Sequence, residues 1–162
     1  MNSKNVVLHP EHPSMAWIVV EQPCGEPMRI RYEPGTGTFR RSQDFALGHH
    51  RGFKGAYGWI GGTGAPPHPH FDVLVITREI LQPGDVMLGH ICGVFIRGDG
   101  DHKFVAIDET WRVREGGADL DAFCAATRDE VMAVYPEVGP GEGWYGAAFA
   151  RDYLRNNQPT HD

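Results

Sequence analysis

Short apolar runs, cut apart by Gly/Pro turns, fill the first two-thirds of the chain. Trp17-Ile18-Val19-Val20 is rich in β-branched residues and predicts a strand. Met28-Arg29-Ile30-Arg31-Tyr32 alternates with period two, as a half-buried strand does. Pro34-Gly35-Thr36-Gly37 is a turn, and Thr38-Phe39-Arg40 returns as its hairpin partner. Tyr57-Gly58-Trp59-Ile60 is another short strand. The run from Asp72 to Thr77 is continuously apolar after its first residue, the mark of a strand buried on both faces. Gln82-Pro83-Gly84-Asp85 is a turn. Val86 to Arg97 is a long strand with glycines at 89 and 93, where a barrel corner can bend. Lys103 to Ile107 closes the series.

After residue 110 the period changes. Leu120, Phe123, Thr127, Val131 and Val134 recur at three and four, an amphipathic helix that starts near Ala118-Asp119 and stops by Pro136. Trp144, Ala148, Arg151 and Leu154 predict a second, shorter helix ended by Asn156-Asn157. Strands first and helices last give an α+β class, best built as a small closed β-barrel flanked by two C-terminal helices. Residues 1–162 form a single domain, with 1–13 expected to be a poorly ordered arm.

Composition narrows the function. The 162 residues carry 15 Lys+Arg against 21 Asp+Glu, a formal charge of −6. That acidity argues against nucleic acid held by phosphate neutralisation. No apolar run nears the ~20 residues of a membrane span, and MNSKNVVLHPEHP does not read as a secretory leader. Cys24, Cys92 and Cys124 form no CxxC and leave one odd thiol, so they read as reduced, structural cysteines of a cytoplasmic protein. Nine histidines are the unusual count.

Acidic residues at or beside strands are Glu21, Glu33, Asp72 and the pair Asp99/Asp101. Asp99 and Asp101, two apart in a glycine-loosened turn, can converge on one hard cation; the plain alternative is a solvated turn. Asp72 opens a buried strand, so it must be paired, bound to metal, or at the wet end.

These segments together resemble the soluble inorganic pyrophosphatases of the Mg-dependent, OB-barrel type. The resemblance spans residues 16–108 and, more faintly, the C-terminal helices. It is carried by Ile18-Val19-Val20-Glu21-Gln22-Pro23, Ile30-Arg31-Tyr32-Glu33, Gly55-Ala56-Tyr57-Gly58-Trp59-Ile60, Phe71-Asp72-Val73-Leu74-Val75, Leu81-Gln82-Pro83-Gly84, Gly93-Val94 and Asp101-His102-Lys103-Phe104-Val105-Ala106. It implies a closed five-stranded OB-like barrel, a divalent metal (magnesium first), a diphosphate substrate and a homo-oligomer. It also implies roles: Glu21 assisting an outer metal, Arg31 binding phosphate, and Glu33 orienting water. Tyr57 would contact phosphate or a metal-bound water. Asp72, Asp99 and Asp101 would be metal ligands, and Lys103 and Tyr135 phosphate contacts.

The departures are as informative. Where the family has Asp-Gly-Asp-Pro-x-Asp, this chain has Pro67-His68-Pro69-His70-Phe71-Asp72. A ligand aspartate and the aspartate base are both proline, which can do neither job. The family's phosphate-binding Arg falls on Phe45, with Arg41 or Arg51 close by, and its late Tyr-Lys is Tyr135-Pro136. Side chains two apart in an extended segment point the same way, so His68, His70 and Asp72 can share one face. His-x-His-x-Asp there would suit manganese, zinc or iron, with His49-His50 approaching the same pocket. The bland alternative is a surface loop carrying exposed histidines. His90 reads as a satisfied core histidine, and His102 as a neighbour of the site.

Three functions follow. One is a divalent-metal-dependent hydrolase of diphosphate or a related phosphoanhydride, with Glu33, His68 or His70 replacing the lost base. The second is a repurposed barrel using a His/Asp transition-metal site on another substrate. The third is a non-catalytic homologue. The first is the reading adopted.

Overall fold

A computed structural model describes residues 8–46, 53–116, 120–134 and 139–159. The strands are β1 (Met15–Gln22), β2 (Met28–Glu33), β3 (Thr38–Phe45), β4 (Ala56–Ile60), β5 (Asp72–Ile76), β6 (Val86–Ile96) and β7 (Lys103–Asp108). Helices α1 (Glu109–Arg114) and α2 (Leu120–Met132) follow, then strand β8 (Gly143–Gly146) and helix α3 (Ala147–Asn156).

The main sheet runs β1-β4-β5-β7-β6-β8, and β1 also pairs with β6. That second pairing closes β1, β4, β5, β7 and β6 into a five-stranded barrel, as expected from the sequence. Only β5 and β7 are parallel to each other. The hairpin β2–β3 stands apart as its own sheet. Gln22 fastens it to β1: its amide donates to the Glu26 and Met28 carbonyls and its oxygen accepts from Ile30 N at 2.7 Å.

Alternate residues of the five barrel strands, among them Ile18, Ile60, Val73, Met87 and Phe104, form one cluster. Ala150 and Leu154 of α3 join it. Opposite residues, Leu74, Ile76, Cys92, Val105 and Ile107, form a second cluster with Cys124 and Val131 of α2. Each fully buried Ile or Leu contributes about 1.5–3 kcal/mol. The second cluster lies on the same strand faces as Asp72 and Lys103, so α2 and the site share one side of the barrel.

Four features go beyond or against the expectations from sequence. First, Trp144 lies in β8, paired with Phe95, rather than in a helix; its ring fills the space beside Gly93, and α3 begins only at Ala147. Second, α1 was not foreseen: it is a short helix whose Thr110 N is capped by the Asp108 carboxylate at 3.1 Å. Third, residues 8–13 fold back on β1, with Leu8 bridging Ala16 and His9 N donating to Met15 O. Fourth, Cys92 and Cys124 form a disulfide that ties β6 to α2, leaving Cys24 as the free thiol. The cysteines therefore no longer argue for a reducing compartment. No helix among the described residues is long and apolar enough to cross a membrane.

Candidate active site

Pairing register builds the site. Trp59 on β4 faces Asp72 on β5, and Asp72 faces Lys103 on β7. Tyr57 lies two residues from Trp59 and so shares its side of the strand. The Lys103 ammonium donates to Asp72 Oδ2 at 2.6 Å, to Asp101 Oδ1 at 2.9 Å and to the Tyr57 hydroxyl at 3.1 Å. Lys103 is 5% exposed, so this cation is held in a low-dielectric setting by two carboxylates.

Asp72 has a second partner, His70, whose Nε2 lies 2.9 Å from Asp72 Oδ1. Burial alone would raise the Asp72 carboxyl, but the His70 and Lys103 contacts outweigh it and hold Asp72 well below the ordinary carboxylate range. Burial likewise pushes the His70 imidazolium down. The bond to Asp72 and the contact of Nδ1 with the His68 carbonyl at 2.8 Å win, and His70 is raised. Both ring nitrogens are thus engaged. Trp59 walls the group, with its ring 6.3 Å from that of His70 and packed in turn on Tyr32 and Phe39.

Glu21 arrives by a bulge. Val20 pairs with Gly58 and Gln22 with Tyr57, so Glu21 is the extra residue of β1 at the level of Tyr57. Bulges re-aim side chains in this way beside functional sites. Glu21 Oε2 accepts from Tyr32 N at 3.3 Å, and burial raises its carboxyl, with Asp72 and His70 in electrostatic range. The close approach of β1 and β4 requires glycine at 58: a Cβ there would sit 1.9 Å from Val19 O.

The remaining candidates are dispersed. Asp99 is in the exposed turn between β6 and β7, where its Oδ1 accepts from Asp101 N and its Oδ2 lies 3.7 Å from Arg97. The turn gathers Asp101 onto Lys103, but not Asp99. Glu33 pairs with Arg40 at 3.3 Å on the hairpin, and Arg31 is exposed on β2 opposite Arg40, so neither joins the cluster. Arg41 pairs with Glu26 at 2.8 Å, and Phe45 is 67% exposed, so neither supplies the missing arginine. Tyr135, His49, His50 and Arg51 lie outside the described residues.

The shared His68–His70–Asp72 face does not form. Pro67 and Pro69 remove ladder donors, and the segment is a turn closed by His68 N on Ala65 O. His68 is exposed, while His70 spends both nitrogens on Asp72 and its own turn. Among the described residues no three His, Cys, Asp or Glu side chains group as a metal site. His68 and His70 therefore do not flank Asp72 together on one face. Sequence reasoning missed Glu142, which accepts from Gly98 N at the start of the Asp99/Asp101 turn; no side-chain pattern signals such a contact.

The model of the inorganic pyrophosphatase family matches residues 18–155. An inorganic pyrophosphatase of Sulfolobus acidocaldarius is 28% identical over 156 residues, covering 88% of this chain and 89% of that protein. The crystal structure of inorganic pyrophosphatase from Thermus thermophilus shares the fold with a TM-score of 0.60 at 20% identity, covering 96% of this chain and 95% of that one. An inorganic pyrophosphatase structure from Coxiella burnetii does so with 0.61 at 20% identity, covering 87% and 91%. With five barrel strands in place and a family match over most of its length, the chain belongs to the inorganic pyrophosphatase family.

Proposed function

We propose that the chain is a divergent, divalent-metal-dependent hydrolase of diphosphate or a related phosphoanhydride. The observation that supports this is the convergence of Asp72, Asp101 and Tyr57 on the one buried ammonium of Lys103.

The donor set suits magnesium. That ion keeps several waters and takes one or two carboxylates plus substrate phosphates, so it needs no third side chain. Asp72 and Asp101 would hold it, with Asp99 at the exposed rim. When bound, it polarises a phosphoryl oxygen and lowers the pKa of a bound water. On yielding Asp72 or Asp101 to the ion, Lys103 would offer its ammonium to a phosphate oxygen, a charge-assisted contact, and the Tyr57 hydroxyl would orient the same group. Arg31, on the hairpin, supplies a further positive charge. Among the proton acceptors, Glu33 is held by Arg40 and both nitrogens of His70 are engaged. Glu21, its carboxyl raised by burial, is the acceptor best matched to the site.

Phosphate release from diphosphate by pure protein, with magnesium and then manganese, tests the reading. Wild type should turn over, and Asp72→Asn should lose at least about 100-fold. Equal rates in the two would end the assignment.

One observation favours a second reading, a non-catalytic homologue. His70 and Lys103 already occupy both oxygens of Asp72, which leaves that carboxylate engaged without a metal. Diphosphate binding with no turnover under any divalent ion would select it.

The homo-oligomeric expectation carries over as part of this proposal. Exposed Trp17, Ile80 and Val86 line a hollow of about 400 Å³ at the other end of β7, together with Glu79, Asp85, Asp108 and Thr110, so its surface is mixed apolar and acidic.

A further inference from the structure

Asp101 owes its place to the turn between β6 and β7, and that turn is tied down from outside. Glu142 Oε2 accepts from Gly98 N at 2.6 Å, and Glu142 Oε1 accepts from Gly139 N at 2.8 Å. One carboxylate thus clasps the first residues of the 97–101 turn to the segment that leads into β8. Its own N–H donates to Gly139 O at 3.1 Å, which fixes the clasp's base. A Cβ on residue 139 would sit 2.5 Å from Glu142 Oε1, so a side chain there would push the carboxylate aside.

The clasp passes to the cluster through few atoms. Gly100 N donates to Arg97 O at 3.1 Å, and Asp101 N donates to Asp99 Oδ1 at 2.9 Å. Arg97 N donates to His102 Nδ1 at 3.0 Å, closing the turn at its foot. Asp101 then reaches Lys103. The Glu142 carboxyl lies below its ordinary range because the two backbone N–H groups favour its charged form.

We infer that Glu142 is a positioning residue for magnesium, acting through the 97–101 turn on Asp101; this rests on the metal-dependent reading above. Glu142 itself contacts Gly98 and Gly139 and stands outside the Asp72–Lys103–Asp101 contacts. Only a carboxylate serves, because both oxygens must accept. In Glu142→Gln the amide NH₂ would face a backbone N–H, donor against donor.

Two readouts test it. In the magnesium dependence of phosphate release, Glu142→Gln should need about 10-fold more magnesium for half-maximal rate, the size expected for a partner behind a metal ligand. KM for diphosphate at saturating magnesium should stay within about twofold, a split that general loss of structure would not give. An unshifted magnesium requirement overturns the inference. The second readout needs no activity. Amide hydrogen exchange at Gly98 and Asp101 should speed up about 10-fold in Glu142→Gln. Unchanged exchange overturns the clasp itself. Inactive wild type with faster exchange in the variant would keep the clasp, refute its role toward magnesium and place the failure in the functional reading.

Discussion

Asp72 and Lys103 stand directly across from each other in the parallel β5–β7 register, with carboxylate and ammonium 2.6 Å apart. Both side chains are largely buried, at 13% and 6% exposure. A buried ion pair is costly to break from one side, because the survivor keeps its desolvation cost and loses its partner.

Lys103→Met should therefore destabilise the fold by about 3 kcal/mol as well as weaken phosphate binding. It leaves Asp72 with His70 as its ion-pair partner and Asp101 with the Arg97 guanidinium 3.8 Å away. The double variant Asp72→Asn/Lys103→Met should recover part of that loss. Urea unfolding of the four proteins of this cycle measures the coupling, and strict additivity would refute it.

Gly58 is the point where β1 and β4 come closest. Ala at this position places a methyl group against Val19 O, so Gly58→Ala should cost at least ~2 kcal/mol and displace the Glu21 bulge. Thermal unfolding checks the first effect. A variant as stable as wild type would contradict the packing.

The Cys92–Cys124 disulfide closes a loop of 32 residues. Alkylation under denaturing, non-reducing conditions should label Cys24 alone, read by mass. Replacing both bonded cysteines by serine should cost about 3 kcal/mol. Three labelled cysteines would mean that β6 and α2 are not covalently joined.

Glu142 gives a pH signature. Its folded-state pKa lies below its unfolded value, so its contribution to stability is present above about pH 4.3 and is lost as pH falls through the folded pKa. The gap in Tm between wild type and Glu142→Gln should be full at neutral pH and close on acidification below about pH 4. A gap that widens in acid would have the wrong sign.

Much of the barrel was legible because its strands announce themselves by period and by turn residues. Asp72 was legible as a candidate because it opens a buried strand, Tyr57 and Lys103 through the family resemblance, and their meeting follows from register. His68 and His70 misled for a physical reason. Two-residue spacing puts side chains on one face only in a strand, and Pro67 and Pro69 make this segment a turn. Trp144 misled because its spacing to Ala148 fits a helix, while its ring is needed against Gly93 in β8. Glu33 matched the family pattern, yet Arg40, its neighbour across the hairpin, holds it on the hairpin.

The central claim is that Asp72 and Asp101 support metal-dependent cleavage of a phosphoanhydride. Its most direct test is the initial rate of phosphate release from diphosphate by chelator-treated wild-type protein, followed as magnesium is added back. The account predicts no release in the chelator and a rate that rises and saturates with magnesium, abolished in Asp101→Asn. Release that persists in the chelator, or none at any magnesium concentration, would contradict it.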